Sequence, residues 1–159
     1  MSRIGILVTI MFLVLTFAVP ASATTRLGFN NEIHRALSLE KRGDMEAARE
    51  HWTKVVESGE ALLEARGKDS QYLLGTARAH YGLGQNAEAV EFWQRYIEVK
   101  EGMGANVANE NPWVYAYLGL AYGKLGNVDK VMEYWSKAPM TLGPVYTIIQ
   151  NELAALRGQ

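Results

Sequence analysis

Three histidines, His34, His51 and His80, are the side chains best suited to bind a metal or to act as a general base. No two of them stand four residues apart, the spacing that places two histidines on one face of a helix in zinc enzymes. His51 precedes a tryptophan and His80 occupies a position that is expected to be packed, so both are interpreted as structural. The sequence therefore predicts no metal site and no cofactor.

Two other patterns could support acid–base catalysis or phosphate binding. Carboxylates lie three residues apart at Glu57 and Glu60, and again at Glu98 and Glu101. Both pairs fall on long helical stretches beside basic residues, which is typical of a solvated helix face. The glycines of Gly82-Leu83-Gly84 lack the third glycine and the lysine of a phosphate loop, and we interpret them as a turn. Since no catalytic constellation is present, the sequence predicts a protein that is not an enzyme.

The first 23 residues have the pattern of a secretory signal peptide. One basic residue, Arg3, precedes an apolar run of 16 residues at 4–19, and Ala21-Ser22-Ala23 follows. A spanning helix needs about 20 residues, so we expect cleavage after Ala23. An uncleaved anchor is the alternative, and only then would the chain be attached to a membrane. The short basic region and the absence of Asn-x-Ser/Thr sites favour the bacterial periplasm as the location.

The remaining segment, 24–159, is long enough for one domain with a modest core. Without Arg3 it carries 15 basic and 17 acidic residues, with both signs scattered along the helices. Nucleic acid is therefore not an expected partner. The sequence has no cysteine, which excludes disulfides and thiol chemistry, so stability has to come from helix packing.

An internal repeat organises this segment. Three tryptophans each lie nine residues after a glycine, and the glycines are spaced by 41 and 42 residues. A small residue precedes each tryptophan by four positions, so both side chains share one face of a helix. Such a period indicates stacked helical hairpins that reverse at the glycines. The predicted structural core at these positions consists of Gly43, Ala48, Trp52, Gly84, Ala89, Trp93, Gly126 and Trp135.

The third unit resembles a tetratricopeptide repeat. It has Tyr115, Leu118, Gly119 and Tyr122 at the family spacing W-x2-L-G-x2-Y, followed by the repeated small residue and tryptophan. Leu118, Gly119 and Tyr122 therefore join the predicted core. The other two units keep fewer of these residues, the closing proline is missing, and the period exceeds the family's length of about 34 residues. The chain thus resembles a divergent member of the family.

The resemblance implies an all-α fold, a right-handed superhelix of three antiparallel helical hairpins. We expect repeats at about 29–66, 70–103 and 112–139, with a long second helix in the first repeat and a loop at 102–112. The segment at about 144–157 begins at a proline and carries one apolar stripe. It is predicted to be a C-terminal capping helix, which a solenoid needs.

Members of the family line a concave groove with the first helix of each hairpin. By resemblance, the groove of this chain would be lined by Asn30, Ile33, Leu37, Gln71, Leu74, Arg78, Tyr81, Trp113, Ala116, Leu120 and Lys124. Aromatic residues beside a cation tend to concentrate binding energy, so Trp113, Tyr81 and Arg78 are predicted at its centre, with Arg78 or Lys124 facing a partner carboxylate. Family members that bind chaperone tails carry Lys and Asn where this chain has Ile33 and Leu37, so we expect a different partner.

Two functional interpretations remain open. The favoured one is a periplasmic adaptor or assembly factor that holds a protein or peptide partner of an envelope complex. The alternative is an accessory protein of a transport system that binds a small apolar ligand. An open groove favours the first, and a closed cavity larger than about 300 Å³ favours the second.

Overall fold

The computed structural model describes residues 25–138, together with Thr147, Asn151, Ala154 and Ala155. The regular elements of residues 25–138 are helices, which confirms the predicted all-α fold. They are α1 (Arg26–Lys41), α2 (Met45–Arg66), α3 (Ser70–Leu83), α4 (Asn86–Gly102), α5 (Val107–Glu110), α6 (Trp113–Lys124) and α7 (Val128–Lys137). The predicted signal peptide lies outside the described residues. So does most of the predicted capping helix, of which the four isolated residues are helical and exposed.

Three antiparallel hairpins stack one on the next. α1 packs against α2, α3 against α4, and α6 against α7, while α2–α3 and α4–α6 contacts join successive hairpins. Within each hairpin the chain reverses at Gly43, Gly84 and Gly126, whose φ angles are 80°, 79° and 76°. Residues with a Cβ rarely adopt this left-handed region, which is why a glycine ends each first helix. The first turn of α2 is then capped by the carboxylate of Asp44, which accepts a hydrogen bond from the backbone N–H of Ala47 at 3.2 Å.

The segment between the second and third hairpins is more ordered than the loop predicted at 102–112. It contains α5, which is capped by the side chain of Asn106 and inserts Val107 into the core with only 2% of its surface exposed. An ion pair of 2.6 Å between Lys100 and Glu110 fastens α5 to α4. A helix of four residues is too short to produce a hydrophobic period, so the sequence pattern did not reveal it.

The core runs from hairpin to hairpin around the repeated tryptophans. Trp52 and Trp93 are fully buried, whereas Trp135 in the third hairpin is partly buried. A Cβ at Gly82 would lie 2.5 Å from Nε1 of Trp52. Gly82 is therefore helical and closely packed rather than part of a turn, and only Gly84 has the turn conformation. Of the other predicted core residues, Ala48, Ala89, Leu118 and Gly119 are buried and Tyr122 is partly buried. The turn glycines Gly43, Gly84 and Gly126 were also predicted in the core, but they are exposed because the chain reverses at the surface.

Candidate partner-binding groove

An open cleft of about 450 Å³ lies where the first helices of the three hairpins meet. This cleft, the groove, is lined by Asn30, Ile33 and Leu37 of α1, by Gln71, Leu74, Gly75 and Arg78 of α3, and by Trp113 and Tyr117 of α6. Seven of these nine residues are among those that the sequence predicts; Gly75 and Tyr117 are not. Every described residue that lines the groove lies on a first helix, the arrangement that the family resemblance implies.

Tyr117 joins the groove to the core. Its ring centroid lies 5.9 Å from that of Trp113, 5.3 Å from that of Tyr81 and 5.9 Å from that of Trp93. Tyr81, predicted at the centre of the groove, contacts Tyr117 and Trp93 and is not a lining residue. The signal that could have revealed Tyr117 is its position four residues after Trp113, which places both on one face of α6.

Arg78 lines the groove as predicted, but its charge is already paired. Its Nη2 forms an ion pair with Oε2 of Glu40 in α1, and its guanidinium carbon lies 4.8 Å from the ring centroid of Trp52 and 5.4 Å from that of Tyr117. The second carboxylate oxygen of Glu40 accepts a hydrogen bond of 2.8 Å from Nε1 of Trp52. The prediction that Arg78 faces a partner carboxylate is thus corrected, because Glu40 supplies that carboxylate. Glu40 follows Leu37 by three residues and therefore lies on the same face of α1. This spacing is the sequence feature that could have placed Glu40 beside the groove.

The polar end of the groove is held together by side-chain amides. Nε2 of Gln71 donates a hydrogen bond of 3.1 Å to Oδ1 of Asn30. Oε1 of Gln71 accepts a further hydrogen bond from the guanidinium of Arg26. These bonds tie the start of α1 to the start of α3, so the polar side chains at this end are engaged with one another.

Besides Tyr81, three predicted lining residues lie away from the groove. Ala116 and Leu120 are 0% and 2% exposed and pack with Val131 of α7. Lys124 is exposed, with its Nζ 4.9 Å from the ring centroid of Tyr81. α6 is apolar on more than one side, so it buries residues against α7 as well as against α4, and the groove extends less far along the third hairpin than predicted.

The three histidines lie apart from one another, and two of them contact residues of a neighbouring element. Nδ1 of His51 lies 2.6 Å from Oε2 of Glu32, linking α2 to α1, and Nδ1 of His80 lies 2.7 Å from Oε1 of Gln85. His34 is exposed on α1. Within residues 25–138, no three His, Asp or Glu side chains lie close enough together to hold a metal ion. None of the helices in this range is long and apolar enough to cross a membrane.

Stacked tyrosines join the two helices of the third hairpin, and a glutamine of α4 bonds to one of them. The ring of Tyr134 lies 5.5 Å from that of Tyr122 and 6.4 Å from that of Tyr115. Nε2 of Gln94 in α4 donates a hydrogen bond of 3.0 Å to the hydroxyl of Tyr122. Burial raises the pKa of Tyr115 and of Tyr122 above the ordinary value of 10.0. Tyr115 and Tyr134 also line a second open cleft of about 530 Å³ between α4 and the third hairpin.

Comparison with known proteins agrees with this geometry. Residues 71–99, which span most of α3 and α4, match the family model of the tetratricopeptide repeat. The fold is similar to that of the TPR2AB domain of yeast Sti1 in its pHSP90 complex, with a TM-score of 0.50, 25% identity and coverage of 82% of this chain. This chain spans 48% of the length of that one. The N-terminal domain of STI-1 from C. elegans gives a TM-score of 0.47 and 15% identity, with 83% of this chain and 98% of that one covered. No curated protein matches the chain.

The stacked hairpins and the match at 71–99 support the predicted similarity to a divergent tetratricopeptide-repeat protein. This fold is that of a protein–protein interaction module. The match falls on the second hairpin, which contributes Gln71, Leu74, Gly75 and Arg78 to the groove.

Proposed function

We propose that this chain is an exported, non-enzymatic adaptor or assembly factor that holds a segment of a partner protein in the groove. The observation that supports the proposal best is the open cleft, whose described lining residues all lie on first helices. Export rests on the signal-peptide pattern at 1–23, which also makes a protein of the bacterial envelope the partner that we propose.

The groove presents apolar surface that a partner could cover. Leu37 is 40% exposed, and Ile33, Leu74 and Trp113 are partly exposed beside it. Aromatic side chains in such positions often contribute about 2 kcal/mol or more to binding. Covering Trp113 would thus account for a factor of about 30 in affinity.

A protein partner fits this shape better than a small ligand does. A small-molecule site encloses most of its ligand, whereas this cleft is open to solvent and its walls belong to three successive hairpins. The yeast Sti1 domain of the same fold is in complex with pHSP90, which supports a protein partner here. Ile33, Leu37 and the paired Arg78 favour a partner of different chemistry from a charged chaperone tail.

Site-specific crosslinking tests the proposal. A photo-crosslinking amino acid at Leu37 in the groove is compared with one at Glu57, an exposed position on α2 outside the groove. We expect the Leu37 variant to capture one envelope protein, identified by mass spectrometry, and Trp113→Ala to reduce that capture. Equal capture from Glu57, or none from Leu37, would place the interaction elsewhere. Capture of a small molecule instead of a protein would favour the transport alternative.

A further inference from the structure

We propose that the groove accepts an α-helix whose docked face is apolar and uncharged. This inference rests on the proposed function and specifies the partner segment. It follows from three features of the groove, which are its hydrogen bonding, its charge and its size.

Hydrogen bonding in the groove disfavours an extended segment. An extended peptide carries backbone N–H and C=O groups that need partners when they are buried. The described walls of the groove are helices, whose backbone groups are already paired, and their polar side chains Asn30, Gln71 and Arg78 bond to other side chains. Nη1 of Arg78 has no hydrogen-bond partner among the described residues, but it is buried and does not reach the surface of the cleft. A helix pairs its own backbone groups, so it needs no hydrogen-bond partners from the groove. A helical segment can therefore dock without leaving buried polar groups unsatisfied.

The charge of the groove disfavours an ionised side chain on the docked face. Among the residues that the structure describes, Arg78 is the one charged residue that lines the cleft, and Glu40 neutralises it. A partner carboxylate would have to displace Glu40, which is also held by Trp52, and a partner cation would approach the guanidinium. Burying an uncompensated charge is costly. Glu40 is thus inferred to be the residue that determines specificity against acidic segments.

The size of the cleft indicates how the helix lies. A helix with its side chains is about 10–12 Å wide, whereas the cleft holds about 450 Å³, room for a few side chains only. The helix is therefore expected to lie across the mouth and to insert apolar side chains between Leu37, Leu74 and Trp113, in the manner of helix-in-groove recognition.

Three synthetic peptides test this inference against the full chain by fluorescence anisotropy. The first has leucines at positions i, i+3, i+4 and i+7, neutral polar residues elsewhere and blocked ends. The second replaces the central leucine with glutamate, and the third keeps the leucines but has two prolines that prevent helix formation. We expect the first peptide to bind and the other two to have affinities lower by about tenfold or more. Trp113→Ala should abolish binding of the first peptide.

Glu40→Gln provides a second arm. Glutamine keeps an acceptor for Nε1 of Trp52 but leaves the charge of Arg78 uncompensated. The ratio of the affinity for the glutamate peptide to the affinity for the leucine peptide should therefore be higher for this variant than for the wild type. Equal binding of the proline peptide, or preference of the wild type for the glutamate peptide, would overturn the inference. A partner captured from Leu37 together with no binding of the leucine peptide would overturn this inference alone and leave the proposed function standing.

Discussion

Replacing Trp93 with alanine should destabilise the protein by about 3–5 kcal/mol. Trp93 is 0% exposed, and its ring lies 5.7 Å from that of Tyr81 and 5.9 Å from that of Tyr117. A buried tryptophan removes about 200 Å² from water, which at about 25 cal/mol per Å² corresponds to an upper limit of about 5 kcal/mol. Nε1 of Trp93 has no hydrogen-bond partner within the described part of the chain, so its removal recovers about 1 kcal/mol. The cavity that remains adds a cost of its own.

Urea unfolding followed by circular dichroism measures this change. A loss of about 3–5 kcal/mol corresponds to a fall in melting temperature of roughly 10 °C for a chain of this length. Trp135→Ala is the matched control, because Trp135 has the same repeat position but is only partly buried. Its substitution should cost less. A cost below about 1 kcal/mol for Trp93→Ala would refute the assignment of the repeated tryptophan as the core anchor.

Three further predictions concern the backbone, the tyrosines and the N-terminus. Gly82→Ala should cost about 1–3 kcal/mol in urea unfolding because its Cβ would meet the buried indole of the first repeat. Gly102→Ala should change stability little, because a Cβ there would meet no described atom from another part of the fold within 4 Å. Equal effects of the two substitutions would contradict the packing described for Gly82. Because the folded state raises the pKa of Tyr115 and Tyr122 above 10.0, the stability that they contribute is present below pH 10 and should be lost as the pH rises above it. Tyrosinate absorbance should rise together with unfolding, and Tyr122→Phe should make the free energy of unfolding depend less steeply on pH. A free energy of unfolding that does not change with pH in this range would argue against burial of these hydroxyls. N-terminal sequencing of the exported protein should begin at Thr24, and a membrane-bound form that begins at Met1 would show an uncleaved anchor.

The hairpins could be predicted because their determinants are local and repeated. A glycine that permits a left-handed turn and a tryptophan nine residues later are visible in the sequence alone. The groove was partly predictable for the same reason, since a first helix presents its inner face at regular positions. Tyr117 was missed because the family pattern assigns its position to neither the core nor the inner stripe.

The pairing of Arg78 with Glu40 could not be predicted in this way. The two residues are separated by 38 positions, and their contact depends on how closely α1 and α3 approach. Gly82 shows the same limit, because only the position of Trp52 on another helix explains the need for a glycine there. Contacts between hairpins thus decide the charge of the groove, whereas spacing within a hairpin decides the fold.

Calorimetry of the partner segment captured from Leu37 tests the central claim most directly. The segment is titrated into the wild-type protein, Trp113→Ala in the groove, and Met103→Ala, an exposed residue between α4 and α5 that is outside the groove. We predict a loss of about 30-fold or more in affinity for Trp113→Ala, no change for Met103→Ala, and the same helical content in all three proteins by circular dichroism. Unchanged affinity in a folded Trp113→Ala variant would contradict the assignment of the groove as the binding site.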